Sequence, residues 1–223
     1  KMGAYAEYKC QRANYMLAPK PIKMSFEEAA TIPTSGTNAL HYMRKANIKP
    51  GDKVLINGAA GCFGIYAIQI AKHLGAKVIA VDHGDKLHVL PQLGADEVID
   101  YTKVDFTINT ESYDVVFDVI WKKLPCKIMK SLKPKGSYIL ATPWVGQVIK
   151  GTMSSLFSSK KFIYSLAGEN AEDLYYLKQL IEEGHVKTHI DKTYALQDMA
   201  DAHRYVESKQ KIGHVAITID NNP

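Results

Sequence analysis

Short apolar runs alternate with longer amphipathic segments through the middle of the chain. The apolar runs predict β-strands over residues 53–57, 77–81, 97–99, 113–117 and 137–141. Helical spacing of apolar residues predicts helices over residues 65–74, 86–93 and 173–183. Apolar strands separated by helix-length segments predict a parallel sheet that is covered on both faces by helices.

The two ends of the chain follow a different pattern. It predicts strands over residues 1–8, after 185 and over 214–219, and helices over residues 25–30 and 196–205. We therefore predict an α/β domain over residues 34–184, inserted between two parts of a second domain, residues 1–33 and 185–223.

Composition and charge exclude several classes of protein. Among 223 residues, 46% are hydrophobic and 23% are charged, which is ordinary for a globular domain and excludes disorder, collagen and coiled coil. No apolar run approaches the roughly 18 residues of a membrane span, so we predict no membrane partner. The net charge of +5 is modest. Six lysines between Lys122 and Lys135 predict a solvated helix face, and we predict no nucleic-acid partner.

The cysteines and histidines predict neither disulfides nor a metal site. Cys10, Cys62 and Cys126 form no C-x-x-C pair, which excludes a disulfide framework and favours a reducing compartment, the cytoplasm. His185 and His189 have the i, i+4 spacing of helical zinc ligands. Gly184 ends the preceding helix and the stretch predicts a strand, so we predict that no metal binds there.

A small-residue loop between the first predicted strand and helix is the strongest chemical signal. It consists of Ala59, Ala60, Gly61, Cys62, Phe63 and Gly64. In a dinucleotide-binding loop of this kind, Gly61 lets the backbone approach a pyrophosphate and Gly64 lets helix and strand pack closely. The following helix N-terminus offers free N–H groups and partial positive charge to the same pyrophosphate. The loop therefore predicts binding of NAD(P)H.

An acidic residue at the end of the next strand bears on whether the cofactor is NADH or NADPH. Asp82 lies eighteen residues after Gly64. A carboxylate there can accept hydrogen bonds from the ribose hydroxyls of NAD and would repel a 2′-phosphate. His83 and Lys86 would instead favour that phosphate, so NADPH stays open while NADH is favoured.

Several segments resemble the medium-chain dehydrogenase/reductase superfamily, and they follow in the right order along essentially the whole chain. The resemblance is carried by residues 27–33, 53–64, 69–72, 93–96, 113–118, 132–134, 191–196 and 202–204. The Ala-Ala-Gly loop is most similar to that of the zinc-independent quinone oxidoreductase branch.

This resemblance implies a Rossmann doubly wound parallel sheet with flanking remnants of a GroES-like catalytic domain. It implies hydride transfer from NAD(P)H to a quinone, enone or carbonyl substrate, and a homodimer formed through a Rossmann edge strand. It also implies cofactor contacts by Asn38, where the family usually has Thr, and by Asp118. Trp121 stands where the family tends to have glycine, either closing the pocket or packing on the sheet.

The resemblance further implies an N-terminally truncated chain, which lacks most of the segment that supplies substrate-pocket residues. No catalytic residue or proton donor is therefore assigned. The alternative interpretation is a nucleotide-binding module or redox sensor without catalysis.

Overall fold

The main sheet has six parallel strands in the order β3-β2-β1-β4-β5-β6. The computed structural model describes residues 4–12, 15–120, 122–141, 143–165 and 170–219. The strands are β1 (Lys53–Asn57), β2 (Lys77–Asp82), β3 (Glu97–Asp100), β4 (Tyr113–Asp118), β5 (Leu132–Leu140) and β6 (Lys161–Ile163). The chain winds outward from β1 in both directions, so a crevice opens at the carboxyl ends of β1 and β4. The predicted doubly wound α/β sheet is confirmed.

Helices cover both faces of this sheet. The α-helices of the described chain are α1 (Phe26–Ala30), α2 (Thr37–Ala46), α3 (Cys62–His73), α4 (Pro125–Ser131), α5 (Val145–Leu156), α6 (Ala171–Glu182) and α7 (Met199–Glu207), and α1 and α7 contact later strands outside this sheet. Val54 and Ile56 of β1 pack in one core with residues of α2, α3 and α6. Leu55, between them, packs in a second core with Ile128 of α4. Successive residues of β1 thus face opposite layers, which is why its sequence is apolar throughout.

A second, two-stranded parallel sheet follows α6. Its strands are β7 (Ile190–Ala195) and β8 (His214–Thr218), with α7 between them. Helix α1 contacts β8, so an early and a late segment of the chain meet here. No helix in the described ranges combines the length and the apolar character that crossing a membrane requires.

Strand β5 begins at Leu132, five residues before its predicted start at 137, and two other predicted elements differ in kind. The predicted helix over 86–93 is two 3₁₀ turns, Gly84–Val89 and Pro91–Leu93. Pro91 has no N–H to donate and disfavours helical geometry at the residue before it, so an α-helix does not continue. The predicted strand over residues 1–8 is not formed at residues 4–8, where the backbone bends and pairs with no described strand. Residues 1–3 lie outside the described residues.

Candidate functional site

A cavity lies at the carboxyl ends of β2, β3 and β4. Its volume is about 800 Å³, within the usual range for small-molecule sites. The lining residues are Asp82, His83, Asp85, Lys86, Tyr101, Val119, Ile120, Lys122, Ser208, Lys209, Gln210 and Ile212. The first eight follow strand ends of the main sheet, and the last four belong to the connection between α7 and β8. Ligands of open α/β sheets bind at this position.

The glycine-rich loop lies beside this cavity, between β1 and α3. A side chain at Gly64 would place its Cβ 2.4 Å from the carbonyl oxygens of Gly58 and Ala59, so only glycine fits. Gly58 has φ +87°, the left-handed region that favours glycine. Helix α3 begins after Gly61 with no side-chain cap and no acidic residue in its first turn. Its N-terminal N–H groups and partial positive charge therefore suit an anion.

The loop residues divide into buried and accessible ones. Ala59 and Ala60 are buried, and the Ala60 carbonyl accepts a hydrogen bond from the N–H of Gly213 at 2.7 Å. Gly61, Cys62 and Phe63 are partly exposed. The two alanines therefore hold the loop in place, and a ligand can reach the three residues after them.

Asp82 faces both the loop and the cavity. One carboxylate oxygen accepts a hydrogen bond from the Ala60 N–H at 2.8 Å, and the other accepts from the His83 N–H at 2.8 Å. The residue is only 8% exposed but lines the cavity. A carboxylate has about four acceptor sites, so Asp82 can hold the loop and still accept from a ligand hydroxyl.

Lysines from separate segments converge on the cavity. The Lys86 ammonium donates to the Lys209 carbonyl oxygen at 2.5 Å and so connects the region after β2 with the connection before β8. Lys122 and Lys209 line the same cavity. Sequence reasoning identified Lys86 alone, because Lys122 and Lys209 reach the site only through the tertiary fold.

The Asp118 side chain is fully buried and does not line the cavity, so its contact with the cofactor stays a prediction. One of its oxygens accepts hydrogen bonds from the Asn57 amide at 2.8 Å and from the Ile120 N–H at 3.0 Å. The other accepts from the Tyr138 hydroxyl at 3.1 Å. Burial, and then the nearby carboxylate, raise the pKa of Tyr138 far above its usual range. Asp118 thus joins the ends of three strands and positions Ile120, which does line the cavity.

Asn38, like residues 59–64 of the loop, is not among the residues that line the cavity. Asn38 lies in the first turn of α2, where its amide donates to the Thr34 carbonyl oxygen at 2.7 Å. Trp121 lies outside the described residues. In the ranges that the structure describes, no group of three or more His, Cys, Asp and Glu side chains is arranged to hold a metal ion.

Some residues that sequence reasoning missed had a usable signal. Tyr101 and Ile120 each follow a predicted parallel strand, and strand ends at one edge of a sheet meet in space. Residues 208–212 carry no such signal, because their place opposite the sheet depends on how the smaller sheet packs.

Comparison with known proteins decides the family. The profile of the zinc-binding dehydrogenase family matches residues 93–217, more than half of the chain. The chain belongs to this family. The resemblance to medium-chain dehydrogenases and reductases is thereby confirmed.

Individual relatives agree with this membership. The chain is 33% identical over 221 residues to 2-methylene-furan-3-one reductase of Solanum lycopersicum, covering 97% of this chain and 53% of that protein. A structure of an NAD-dependent alcohol dehydrogenase matches with TM-score 0.86 and 30% identity, covering 98% of this chain and 66% of that one. The quinone oxidoreductase of Coxiella burnetii matches with TM-score 0.82 and 30% identity, covering 91% and 64%. The chain thus spans about half the length of the tomato reductase.

Proposed function

We propose that this chain binds NAD(P)H and forms the cofactor-binding part of an oxidoreductase that reduces a quinone, enone or related carbonyl compound. The observation that carries the proposal is the cavity at the crevice of the sheet, next to the uncapped N-terminus of α3. The clearance that only glycine provides at position 64 fits a loop built to hold a dinucleotide.

The residues of this chain would act by binding and orienting the dinucleotide. The N–H groups of Cys62 and Phe63 would face the pyrophosphate, and Asp82 would accept from the ribose hydroxyls. Asp118 accepts from the Ile120 N–H and so fixes Ile120, which lines the cavity. The bound nicotinamide supplies the hydride, and the protein contributes alignment with the acceptor. Asn38 is proposed to lie toward the nicotinamide end. No residue of this chain is assigned as proton donor.

We propose NADH as the preferred form of the cofactor. The Asp82 carboxylate lines the cavity, and a negative charge there would repel a 2′-phosphate. Lys86 would favour that phosphate, but its ammonium already donates to the Lys209 carbonyl oxygen.

Parallel titrations of NADH and NADPH into the chain, followed by Trp fluorescence, test binding and preference together. Asp82→Asn keeps the size of the side chain and removes its charge. We expect it to shift the affinity ratio toward NADPH by about tenfold, the effect of one charged hydrogen bond. An equal loss of affinity for both cofactors would show that Asp82 only holds the loop in place and does not select between the cofactors. Binding of neither cofactor by the wild-type chain would refute the proposed function.

The second candidate is nucleotide binding without catalysis. Tight NADH binding without consumption of NADH in the presence of a quinone or an enone, also in a chain extended to the length of its relatives, would select this candidate.

The proposal includes a homodimer and a reducing compartment. Strand β6 forms an edge of the main sheet, and α5 next to it carries an exposed row of Val145, Ile149, Met153 and Leu156. We call these four residues the α5 row. Contiguous apolar surface of this kind is typical of protein interfaces. All three cysteines are free thiols, which supports a cytoplasmic location. The division into residues 1–33, 34–184 and 185–223 stays a prediction.

A further inference from the structure

The connection between α7 and β8 is held against the glycine-rich loop. We call residues 208–213 the closing segment. Its Gly213 N–H donates to the Ala60 carbonyl oxygen at 2.7 Å, and its Lys209 carbonyl oxygen accepts from Lys86 at 2.5 Å. Four of its six residues, all except Lys211 and Gly213, line the cavity. The closing segment therefore forms a wall of the proposed cofactor site, although it lies outside the main sheet.

The positively charged ammonium of Lys211, in the closing segment, lies next to the start of α3. Its ammonium lies 3.9 Å from the Cys62 sulfur, on the first residue of that helix. It donates to the Gly213 carbonyl oxygen at 2.7 Å, which fixes its direction. In the part of the chain that the structure describes, no carboxylate lies within ion-pair distance of this ammonium.

Two positive features therefore lie side by side, and no described carboxylate forms an ion pair with the ammonium. The N-terminus of a helix is equivalent to about half a positive charge, and the first turn of α3 contains no acidic side chain to balance it. An ammonium group beside it adds a further unit of like charge. This arrangement is unfavourable for the protein alone and becomes favourable when an anion contacts both groups.

We propose that Lys211 binds the pyrophosphate of the dinucleotide together with the N-terminus of α3. The inference rests on the proposed function and adds a residue to it. One phosphate group then accepts hydrogen bonds from N–H groups at the start of α3 and from the Lys211 ammonium of the closing segment. Dinucleotide binding thereby joins the smaller sheet to the larger one.

Paired variants and paired ligands test this assignment. Lys211→Gln removes the charge, Lys211→Arg keeps it, and Lys49→Gln makes the same charge change at an exposed position before β1, near the amino ends of the strands. Isothermal titration with ADP-ribose, which contains the pyrophosphate, is compared with adenosine, which contains no phosphate. Thermal melts of each variant verify that it is folded.

We expect Lys211→Gln to weaken ADP-ribose and NADH binding by about tenfold to a hundredfold, the loss of a charge-assisted hydrogen bond. Adenosine binding should stay unchanged, Lys211→Arg should restore most of the ADP-ribose affinity, and Lys49→Gln should match the wild type. Equal ADP-ribose affinity of the wild type and Lys211→Gln would overturn the role of Lys211 and leave the proposed function intact. Failure of the wild type to bind ADP-ribose, NADH and NADPH would overturn both.

Discussion

Gly64, in the first turn of α3, lies against the backbone of the loop that follows β1, and its missing side chain permits this close approach. Gly64→Ala would place a methyl group 2.4 Å from two carbonyl oxygens of the loop, both of them backbone atoms. The helix must then move away from the strand. We expect the free energy of unfolding to fall by at least about 2 kcal/mol and NADH binding to be lost. Chemical denaturation and NADH titration measure the two effects.

Gly146→Ala is the matched control, because a Cβ at this exposed position of α5 meets no atom within 4 Å. It should leave cofactor binding unchanged and stabilise the helix slightly, since alanine is the better helix former. A Gly64→Ala variant with wild-type stability and affinity would show that α3 does not pack so closely against the loop.

His214 is a buried histidine whose charge state affects folding. Its Nδ1 is 3.4 Å from the His189 carbonyl oxygen, and among the described residues its Nε2 has no hydrogen-bond partner. Burial lowers the pKa of His214 from 6.5 to about 4. The folded state thus favours the neutral ring. This contribution to stability is complete above pH 6.5 and is lost as the pH falls toward 4, by about 3 kcal/mol at most.

Denaturation curves at several pH values between 7 and 4 measure this dependence. His214→Gln should flatten the decline in that range, whatever its effect on absolute stability at neutral pH. His203→Gln, at an exposed histidine, should retain the wild-type slope. If the slope of His214→Gln equals that of the wild type, another group causes the acid sensitivity.

At the scale of elements, the sequence was sufficient to predict those strands that are buried on both faces, because such strands are apolar throughout. β1, β2 and β4 were predicted within one residue, since each is a short apolar run between turns. Helix α5 and strand β6 were missed. The buried side of α5 includes Gly151, packed against the ring of Phe162, while its large apolar residues face outward. This reverses the usual amphipathic pattern, so periodicity does not reveal the element.

The candidate site was predictable only in part for a similar reason. The loop with Gly61 and Gly64 and the acidic residue Asp82 follow local rules that a single sequence contains. Asp118 follows the strand-end rule as well, but its burial depends on donors from two other strands. Lys211 reaches the site through the packing of a distant connection, which no local pattern indicates.

At the scale of the whole molecule, the α5 row has large exposed fractions for apolar side chains. Val145 is 77% exposed, Leu156 76%, Ile149 56% and Met153 53%. The row runs beside β6, whose free edge in the described chain pairs with no further strand. A second copy related by two-fold symmetry would cover both features at once, since the same patch meets itself in such an interface.

We therefore expect Ile149→Lys to convert a dimer to a monomer in sedimentation velocity, because the interface would bury two lysine charges opposite each other. Ile22→Lys is the matched control, since Ile22 is 84% exposed and lies outside the α5 row. It should leave the dimer intact. Both variants should bind NADH as the wild type does, because neither residue lines the cavity at the sheet crevice. A wild-type chain that sediments as a monomer at all accessible concentrations would refute the homodimer, and a dimer that persists in Ile149→Lys would place the interface on another surface.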